Sequence, residues 1–378
     1  MSTDIVRLVA LALLLLAAGC PYCPVEYIPP GPYAARWEEA DALFHQDPRW
    51  LGGDGAYSID LRDGRSVWLF GDSFIATSAA YTRRESTLVR NSIAVMKGRD
   101  PLTASMEFAW KDDGTGPSSF FPEVGDHWLW PVDGYRLEHG PLLIFLAELR
   151  PTPGEGLGFA RAGFRVVRVP NPDRPPVEWK LEAVASLPAP ADRNATVGNC
   201  VAREGDFLHA VSVDGDQEHH GRMARWPLHV VGEGDLTEPE WLVDGRWIGQ
   251  AELTKNPDVL LADASTECSL SDDGWGGWVY VGTRGFGNAA IDFRAAEHVD
   301  GNWLDIAPAL YRPAGTFTYA GKAHTELDPN AHDDVYVWDL VVTYADNSFA
   351  FEDLFDPERE RTLYWPHFVR IQFTYPSC

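Results

Sequence analysis

The sequence predicts an all-β fold made of one repeated β-hairpin. Short apolar runs that alternate with polar residues, separated by turns rich in Gly and Pro, occupy most of the chain. A hairpin with a polar residue at its entrance recurs five times, starting near residues 54, 133, 199, 267 and 326. Each interval leaves room for two further strands. Four strands per unit, repeated radially, predict a five-bladed β-propeller with four-stranded antiparallel blades.

The first hairpin is the clearest copy. An alternating strand over residues 57–61 leads to an Asp-Gly turn at 63–64, and an apolar strand returns over 67–70. Asp54 precedes the first strand and Asp72 follows the second. Because a hairpin brings its two ends together, both carboxylates should lie at the same end.

The other four copies have a polar residue before a strand, then a turn, then an apolar strand. In a propeller the first strand of each blade is innermost, so the residues before these strands should meet at one mouth of the central channel. The residues expected at this mouth are Asp54, Asp133, Asn199, Glu267, His324 and Glu326.

The N-terminus predicts an export signal followed by a lipid anchor. Residues 8–19 form an apolar run that is too short to span a bilayer comfortably, and the small residues before Cys20 resemble a bacterial lipobox. The basic region before the run is weak, with Arg7 offset by Asp4, which leaves a plain secretory signal as the alternative. We therefore expect an exported protein that is anchored by a lipid on Cys20 to the outer membrane of a bacterium. It would face the periplasm or the cell surface.

The chain should divide into three parts. Residues 1–19 are the expected signal peptide, 20–46 a lipidated tether with a short helix, and 47–378 the propeller domain. The helix is predicted over residues 34–44, where Trp37 and later apolar residues recur at helical spacing.

Export would place the cysteines in an oxidising compartment. Besides Cys20 there are four, which allow three pairings and are too few and too widely spaced for a zinc site. A bridge between Cys23 and Cys378 would tie the two ends of the mature chain, and Cys200 would then pair with Cys268. The last two cysteines each follow the entrance residue of consecutive blades, so their strands should be neighbours.

The formal net charge of −25 excludes nucleic-acid binding, because phosphates would repel such a chain. Anionic lipid surfaces would repel it too, so the lipid anchor is the expected membrane contact. Uncharged sugars are compatible with this charge. We predict a monomer without a cofactor, and leave open a structural or channel Ca²⁺ ion.

Several short motifs are spread over residues 48–375. They are Gly52-Gly53-Asp54-Gly55-Ala56, residues 68–74, Arg90-Asn91-Ser92, residues 130–134, residues 235–241, residues 322–327 and residues 364–368. Through them the chain resembles a bacterial family of uncharacterised five-bladed-propeller proteins related to glycoside hydrolases. A neighbouring family includes endo-D-arabinanases, and more distant relatives cleave arabinans and xylans. The resemblance therefore implies action on polymers that contain furanoses or pentoses.

Glycoside hydrolysis needs two carboxyl groups that flank the bond, one protonated and one ionised. Blade position and the family resemblance assign Asp54 as base or nucleophile, Glu267 as acid, and Asp133 as the group that tunes and orients them. The alternative for both aspartates is ordinary turn chemistry, because Asp-Gly often precedes a strand. The residues predicted to contact the substrate are Asp72, Asn91, Trp130, Asn199, Lys322, His324 and Glu326.

Two functions follow from these patterns. The first is a surface-anchored glycoside hydrolase that acts on an arabinan-like polysaccharide by carboxylate acid–base catalysis. The alternative is a non-catalytic propeller lipoprotein that binds a glycan or a protein. Whether the three carboxyl groups meet in one place separates them.

Overall fold

The computed structural model describes residues 32–154, 157–186, 196–214, 219–273, 276–285, 287, 289–315, 317–327 and 337–374. Most of the described chain lies in strands. In chain order these are β1 (Pro32–Arg36), β2 (Trp50–Gly53), β3 (Tyr57–Asp60), β4 (Arg65–Phe70), β5 (Ser73–Ala76), β6 (Ser86–Val89), β7 (Ser92–Lys97), β8 (Ser105–Ala109), β9 (Lys111–Asp112), β10 (Pro117–Ser118), β11 (Trp128–Arg136), β12 (Leu142–Pro151), β13 (Phe159–Val169), β14 (Glu182–Ala183), β15 (Ala185–Ser186), β16 (Thr196–Glu204), β17 (Phe207–Val213), β18 (Gly221–Pro227), β19 (Asp235–Leu236), β20 (Glu240–Val243), β21 (Arg246–Gly249), β22 (Cys268–Asp272), β23 (Trp278–Arg284), β24 (Ala290–Ala296), β25 (Leu304–Tyr311), β26 (Phe317–Ala323), β27 (Val337–Asn347) and β28 (Pro366–Thr374).

The helices are short. They are the α-helix α1 (Leu228–Glu233) and the 3-10 helices Glu38–His45, Arg83–Glu85, Pro176–Glu178, Gln250–Glu252 and Phe351–Phe355. Within the described ranges, no helix has the length and apolar character needed to cross a membrane.

Five antiparallel sheets follow one another along the chain, which confirms the all-β prediction. The first is β3-β4-β7-β8, the second β11-β12-β13-β14 and the fourth β22-β23-β24-β25. The third has five strands, β16-β17-β18-β20-β21, where four were predicted, because β20 and β21 form a hairpin that adds to the edge at β18. The fifth sheet is β26-β27-β28 with β1 at its edge, and three small sheets, β2-β5-β6, β9-β10 and β15-β19, complete the fold.

The N-terminal strand corrects the helix predicted over residues 34–44. Pro32–Arg36 pair antiparallel with β28, and only Glu38–His45 are helical, as a 3-10 helix. The predicted apolar face is nonetheless buried, at Ala40, Leu43 and Phe44. A strand forms because β28 offers partners for the main-chain groups of this segment. The folded unit therefore begins before residue 47, the predicted boundary.

Each sheet lies against the next through its first strand. β11 contacts β3 and β16, and β22 contacts β16 and β26. A hydrogen bond joins each neighbouring pair, and the last one joins the fifth sheet back to the first. These bonds are Asn91 Nδ2 to Leu129 O, Val201 N to Asp133 Oδ2, Asn199 Nδ2 to Thr266 O, Ala323 N to Ser269 Oγ and Tyr319 OH to Asp54 Oδ2.

The strand β12 shows how the core is built. Its first five residues, Leu142–Leu146, are consecutive apolar residues and all are 0% exposed. Alternate side chains of a strand point to opposite faces, so both faces of this sheet must be covered. They pack in one apolar cluster with Ile59 of the first sheet and Leu208 of the third. This packing holds the first strands, and the polar residues beside them, in place.

Candidate active site

The two ends of the first hairpin meet as predicted. Gly71 N donates to Asp54 O (2.9 Å) and Asp54 N to Asp72 O (3.4 Å). A Cβ added at Gly71 would collide with Asp54 Oδ1, so only glycine lets the strand pass this close to the carboxyl group.

Two tyrosines hold the Asp54 carboxyl group. Tyr319 OH and Tyr364 OH both donate to Asp54 Oδ2, at 2.8 and 3.1 Å. Burial raises the pKa of Asp54, against these two donors, which lower it. The first tyrosine lies on β26 and the second just before β28, where it adopts a φ of +63°. Sequence reasoning missed both, because they lie 265 and 310 residues from Asp54.

Asp133 lies on β11 and joins the second sheet to the third. Its Oδ2 accepts from Val201 N (2.7 Å) and its Oδ1 from Gly134 N (2.8 Å). Burial raises the pKa of Asp133 to about 8 and the Glu326 carboxylate adds to the rise, against those two main-chain donors and the positive charge of Lys322.

Glu267 lies directly before β22 and is partly exposed. No other described residue forms a hydrogen bond with its carboxyl group. Burial raises the pKa of Glu267 to about 7 and the Asp54 charge adds to the rise, while Lys322 and Arg161 oppose it. This carboxyl group is thus free to receive or give a proton.

Lys322 acts electrostatically on these three carboxyl groups. Its side chain is 1% exposed and its ammonium group has no hydrogen-bond partner within the described chain, and the predicted sugar contact stays a prediction. The ammonium nitrogen lies 3.6 Å from the centre of the Tyr57 ring. Burial lowers the pKa of Lys322 to about 8, although Glu267 and Asp54 raise it.

β-Bulges place several of these side chains. The pairing register shifts between Pro131 and Asp133 on β11, between residues 197 and 200 on β16, and between Tyr319 and Lys322 on β26. A bulge inserts an extra residue into one strand and turns the following side chains. The first strands of the second, third and fifth sheets therefore all contain such a register shift.

Asp72 and Trp130 lie at the rim of this cluster. Asp72 accepts from Arg90 Nη1 (3.1 Å) and from Trp130 Nε1 (2.8 Å). Burial and the Asp54 charge raise the pKa of Asp72 to about 7. The indole of Trp130 is half-buried and packs edge-on against Phe159, with ring centres 4.8 Å apart.

The side chains of Asn91 and Asn199, predicted to contact sugar, have structural partners in this fold. Both side chains are buried, and both are bonded to main-chain groups. Asn91 binds both main-chain groups of Phe121, and Asn199 binds Thr266 O and Val213 N. They connect neighbouring sheets, which a polar residue beside an inner strand can do as readily as line a channel.

His324, also predicted to contact the substrate, has partners within the fold on both ring nitrogens. Its ring is buried, bonded to Ser58 Oγ (2.6 Å) and Thr343 Oγ1 (2.7 Å), and stacked on Trp68. Burial holds the pKa of His324 well below its ordinary value. Glu326 is partly exposed and faces Ser58, whose hydrogen bond opposes the rise in pKa that burial causes.

The predicted disulfide between Cys200 and Cys268 is not formed in this structure. The cysteines are buried neighbours, as expected, but their sulfurs lie 3.1 Å apart as free thiols, against about 2.05 Å in a disulfide. Cys20, Cys23 and Cys378 lie outside the described residues. No group of His, Cys, Asp and Glu side chains that could hold a metal ion occurs in the described part of the chain.

The fold and the site define an all-β protein with a cluster of carboxyl groups where its successive sheets meet. The chain belongs to the family described as a domain of unknown function (DUF5005), which it matches over residues 38–373. The resemblance to a family of uncharacterised proteins is thereby confirmed.

Comparison with solved structures shows the fold. The chain is similar to a crystal structure of a putative hydrolase from Bacteroides ovatus, with 17% identity, 93% of each chain covered and a TM-score of 0.68. More distant is the catalytic domain of a GH62 alpha-L-arabinofuranosidase from Coprinopsis cinerea, with 12% identity, 87% of this chain and 93% of that chain covered, and a TM-score of 0.49. An endo-arabinase from Bacteroides thetaiotaomicron has 13% identity, 86% and 95% coverage, and a TM-score of 0.42. No similar sequence was found among curated proteins.

Proposed function

We propose that this protein is a glycoside hydrolase that acts on an arabinan-like polysaccharide, containing pentoses or furanoses, by carboxylate acid–base catalysis. One observation carries the proposal. Asp54, Asp133 and Glu267 come from three different sheets, and all three interact with the same buried ammonium group of Lys322. Glycoside hydrolysis requires carboxyl groups that converge and differ in protonation.

Hydrogen bonding supports a distinct role for each carboxyl group. Asp54 is the base or nucleophile, because two tyrosine hydroxyls stabilise its ionised form. Glu267 is the acid, because its carboxyl group is unbonded within the described protein and its pKa is raised to about 7. Both oxygens of Asp133 are held by main-chain donors, so this group orients and tunes the site.

The rim supplies the substrate contacts in this proposal. The half-buried indole of Trp130 offers an apolar face to a sugar ring, and Asp72 with Arg90 offers polar atoms for hydroxyl groups. The pentose or furanose class rests on the family resemblance. The acidic chain favours an uncharged polysaccharide over a uronic-acid polymer.

The proposal includes the architecture and the location. The five sheets act as the blades of a propeller, with an additional strand in the third, and the carboxyl groups lie at one mouth of its channel. The hydrogen bonds that join each sheet to the next, and the fifth sheet to the first, support this arrangement. The lipid anchor at Cys20, which would hold a monomer at the membrane near its glycan, stays a prediction.

Reducing-sugar release from arabinan, arabinogalactan and xylan tests the function. We expect Asp54→Asn and Glu267→Gln to lower turnover about 10²- to 10⁴-fold, because each removes a proton-transfer group. Asp63→Asn, at the opposite end of the same hairpin, is the matched control and should keep full activity. Equal turnover in all four proteins would remove the proposed site. Calorimetric binding without sugar release by the wild type would instead support the non-catalytic alternative.

A further inference from the structure

Lys322 is a buried cation that the protein does not hydrogen-bond. Its side chain is 1% exposed, and none of the described residues accepts a hydrogen bond from its ammonium group. Burying a charge is unfavourable unless other charges or polar groups compensate for it. The Tyr57 ring, 3.6 Å from the ammonium nitrogen, supplies one attraction, of the cation–π type.

Ionisable groups from four sheets surround this ammonium group. A bulge on β26, between Tyr319 and Lys322, directs the lysine toward them. Those that face it are Asp54 and Tyr57 of the first sheet, Asp133 of the second, Glu267 and Cys268 of the fourth, and the uncharged ring of His324 beside it on the fifth.

Lys322 is a cation that acts on all three carboxyl groups, and Arg161 acts on Glu267 as well. The raised pKa values of Asp133 and Glu267 leave both largely protonated in mildly acidic solution. Asp54, held by two hydroxyl donors, is then the carboxylate that carries the negative charge. One ammonium group therefore offsets one carboxylate, and without it the Asp54 charge would lose this cation.

We propose that Lys322 is a positioning residue, the buried counter-ion that favours the ionised form of Asp54, and that it does not touch the glycan. This inference deepens the proposed function and rests on it for the effect on turnover. The electrostatic effect of Lys322 on the carboxyl groups is argued from its burial, and this effect can be measured without a substrate.

Carboxyl titration of the full chain by ¹³C NMR is the direct test. Signals are assigned with Asp54→Asn and Glu267→Gln. In Lys322→Met we expect the pKa of Asp54 to rise by at least one unit, a tenfold gain in proton affinity, and that of Glu267 to rise as well. Lys255→Met, which removes a surface lysine paired with Asp244, should shift neither. Unchanged pKa values in a folded Lys322→Met protein would overturn the proposal.

A second measurement keeps Lys322 in place, in case Lys322→Met does not fold. The ¹⁵N signal of its ammonium group is titrated in the wild type and in Glu267→Gln. Removing the acidic side chain should lower the proton affinity of Lys322 at least threefold, because the coupling between two titrating groups is mutual. The same affinity in both proteins would overturn the proposal.

Kinetics then distinguish a counter-ion from a sugar contact. Loss of the cation raises the pKa of the base, so the acidic limb of the kcat/KM profile should move to higher pH while KM stays within about twofold. Lys322→Arg keeps the positive charge, so the acidic limb of its kcat/KM profile should return to the wild-type pH. A raised KM with unmoved limbs would contradict the proposal. If the wild type hydrolyses none of the three polysaccharides, the proposed function fails, and the two titrations still decide the role of Lys322.

Discussion

Arg83 and Lys322 are both buried cations, but the protein treats them differently. Arg83 is 2% exposed and donates to the main-chain oxygens of Leu51, Leu354 and Leu363, at 2.9, 3.1 and 2.6 Å. Burial lowers the pKa of Arg83 to about 10. Lys322 has no such acceptor and lies among ionisable side chains instead.

The difference shows how to separate a structural charge from a functional one. Arg83 joins the β2-β5-β6 sheet to the segment before β28, and its partners are carbonyl groups that do not titrate. The carboxyl groups that interact with Lys322 titrate, with pKa values of about 8 for Asp133 and about 7 for Glu267. The charge of Lys322 therefore alters their protonation. Burial of a charge is the same in both cases, and the identity of the partner decides the role.

Arg83→Met should give the largest loss of stability outside the carboxyl cluster. The change leaves three buried carbonyl groups without a donor, so we expect unfolding to need about 3 kcal/mol less free energy. Denaturant unfolding measures this, with the exposed neighbour Arg84→Met as control, expected to change stability by less than about 0.5 kcal/mol. The limbs of the pH–rate profile should not move in Arg83→Met. A shift as large as in Lys322→Met would break the comparison.

Asn91→Ala should lower stability by about 2 kcal/mol, because it breaks three buried hydrogen bonds, two to Phe121 and one to Leu129 of the second sheet. Once folded, the variant should keep the wild-type KM. The measurement is denaturant unfolding combined with substrate saturation. A raised KM at unchanged stability would return Asn91 to the sugar-binding role that the sequence predicted.

Tyr319→Phe should lower kcat/KM about tenfold at pH values below the optimum, an effect of about 1.4 kcal/mol. The tyrosine donates to Asp54, which favours the ionised form, so its loss raises the pKa of the base and moves the acidic limb to higher pH. Tyr364→Phe, which breaks the longer bond, should do less. The basic limb, near pH 7 where Glu267 loses its proton, should stay in place in both. The control is Tyr81→Phe, at an exposed tyrosine, and both limbs of its pH–rate profile should match those of the wild type.

Cys200→Ala should have the smallest effect, about 1 kcal/mol in stability and none on turnover, because it removes one buried sulfur atom. Alkylation of the unfolded wild type followed by mass spectrometry should modify both Cys200 and Cys268. If neither is modified until a reductant is added, the bridge that the sequence predicted forms in solution.

Hairpin ends were predictable because they follow from local chain direction. The meeting of Asp54 and Asp72 needed only the Asp-Gly turn between their strands, and the contact of Cys200 with Cys268 needed only the order of the repeats. The repeats also indicated the carboxyl groups of the candidate site, Asp133 and Glu267 among them. These inferences use short stretches of sequence, within which the strand period determines direction.

Side-chain direction at the inner strands was not predictable. Asn199 and Asp133 occupy matching places in the repeat and both join neighbouring sheets, yet Asp133 also interacts with the charge of Lys322. A bulge of one residue is enough to turn a side chain from one face of the strand to the other. Such a bulge has no characteristic turn residue in the sequence that would predict it.

The sequence alone therefore determined the class of fold, the repeat and the candidate acids, because each depends on residues close together in the chain. Tertiary structure decided which polar residues link the sheets and which remain available for chemistry. It also supplied Tyr319 and Tyr364 to Asp54, across 265 and 310 residues, and placed Lys322 among acids of three other sheets. Such groups meet only when the fifth sheet packs against the first, and no local pattern encodes that contact.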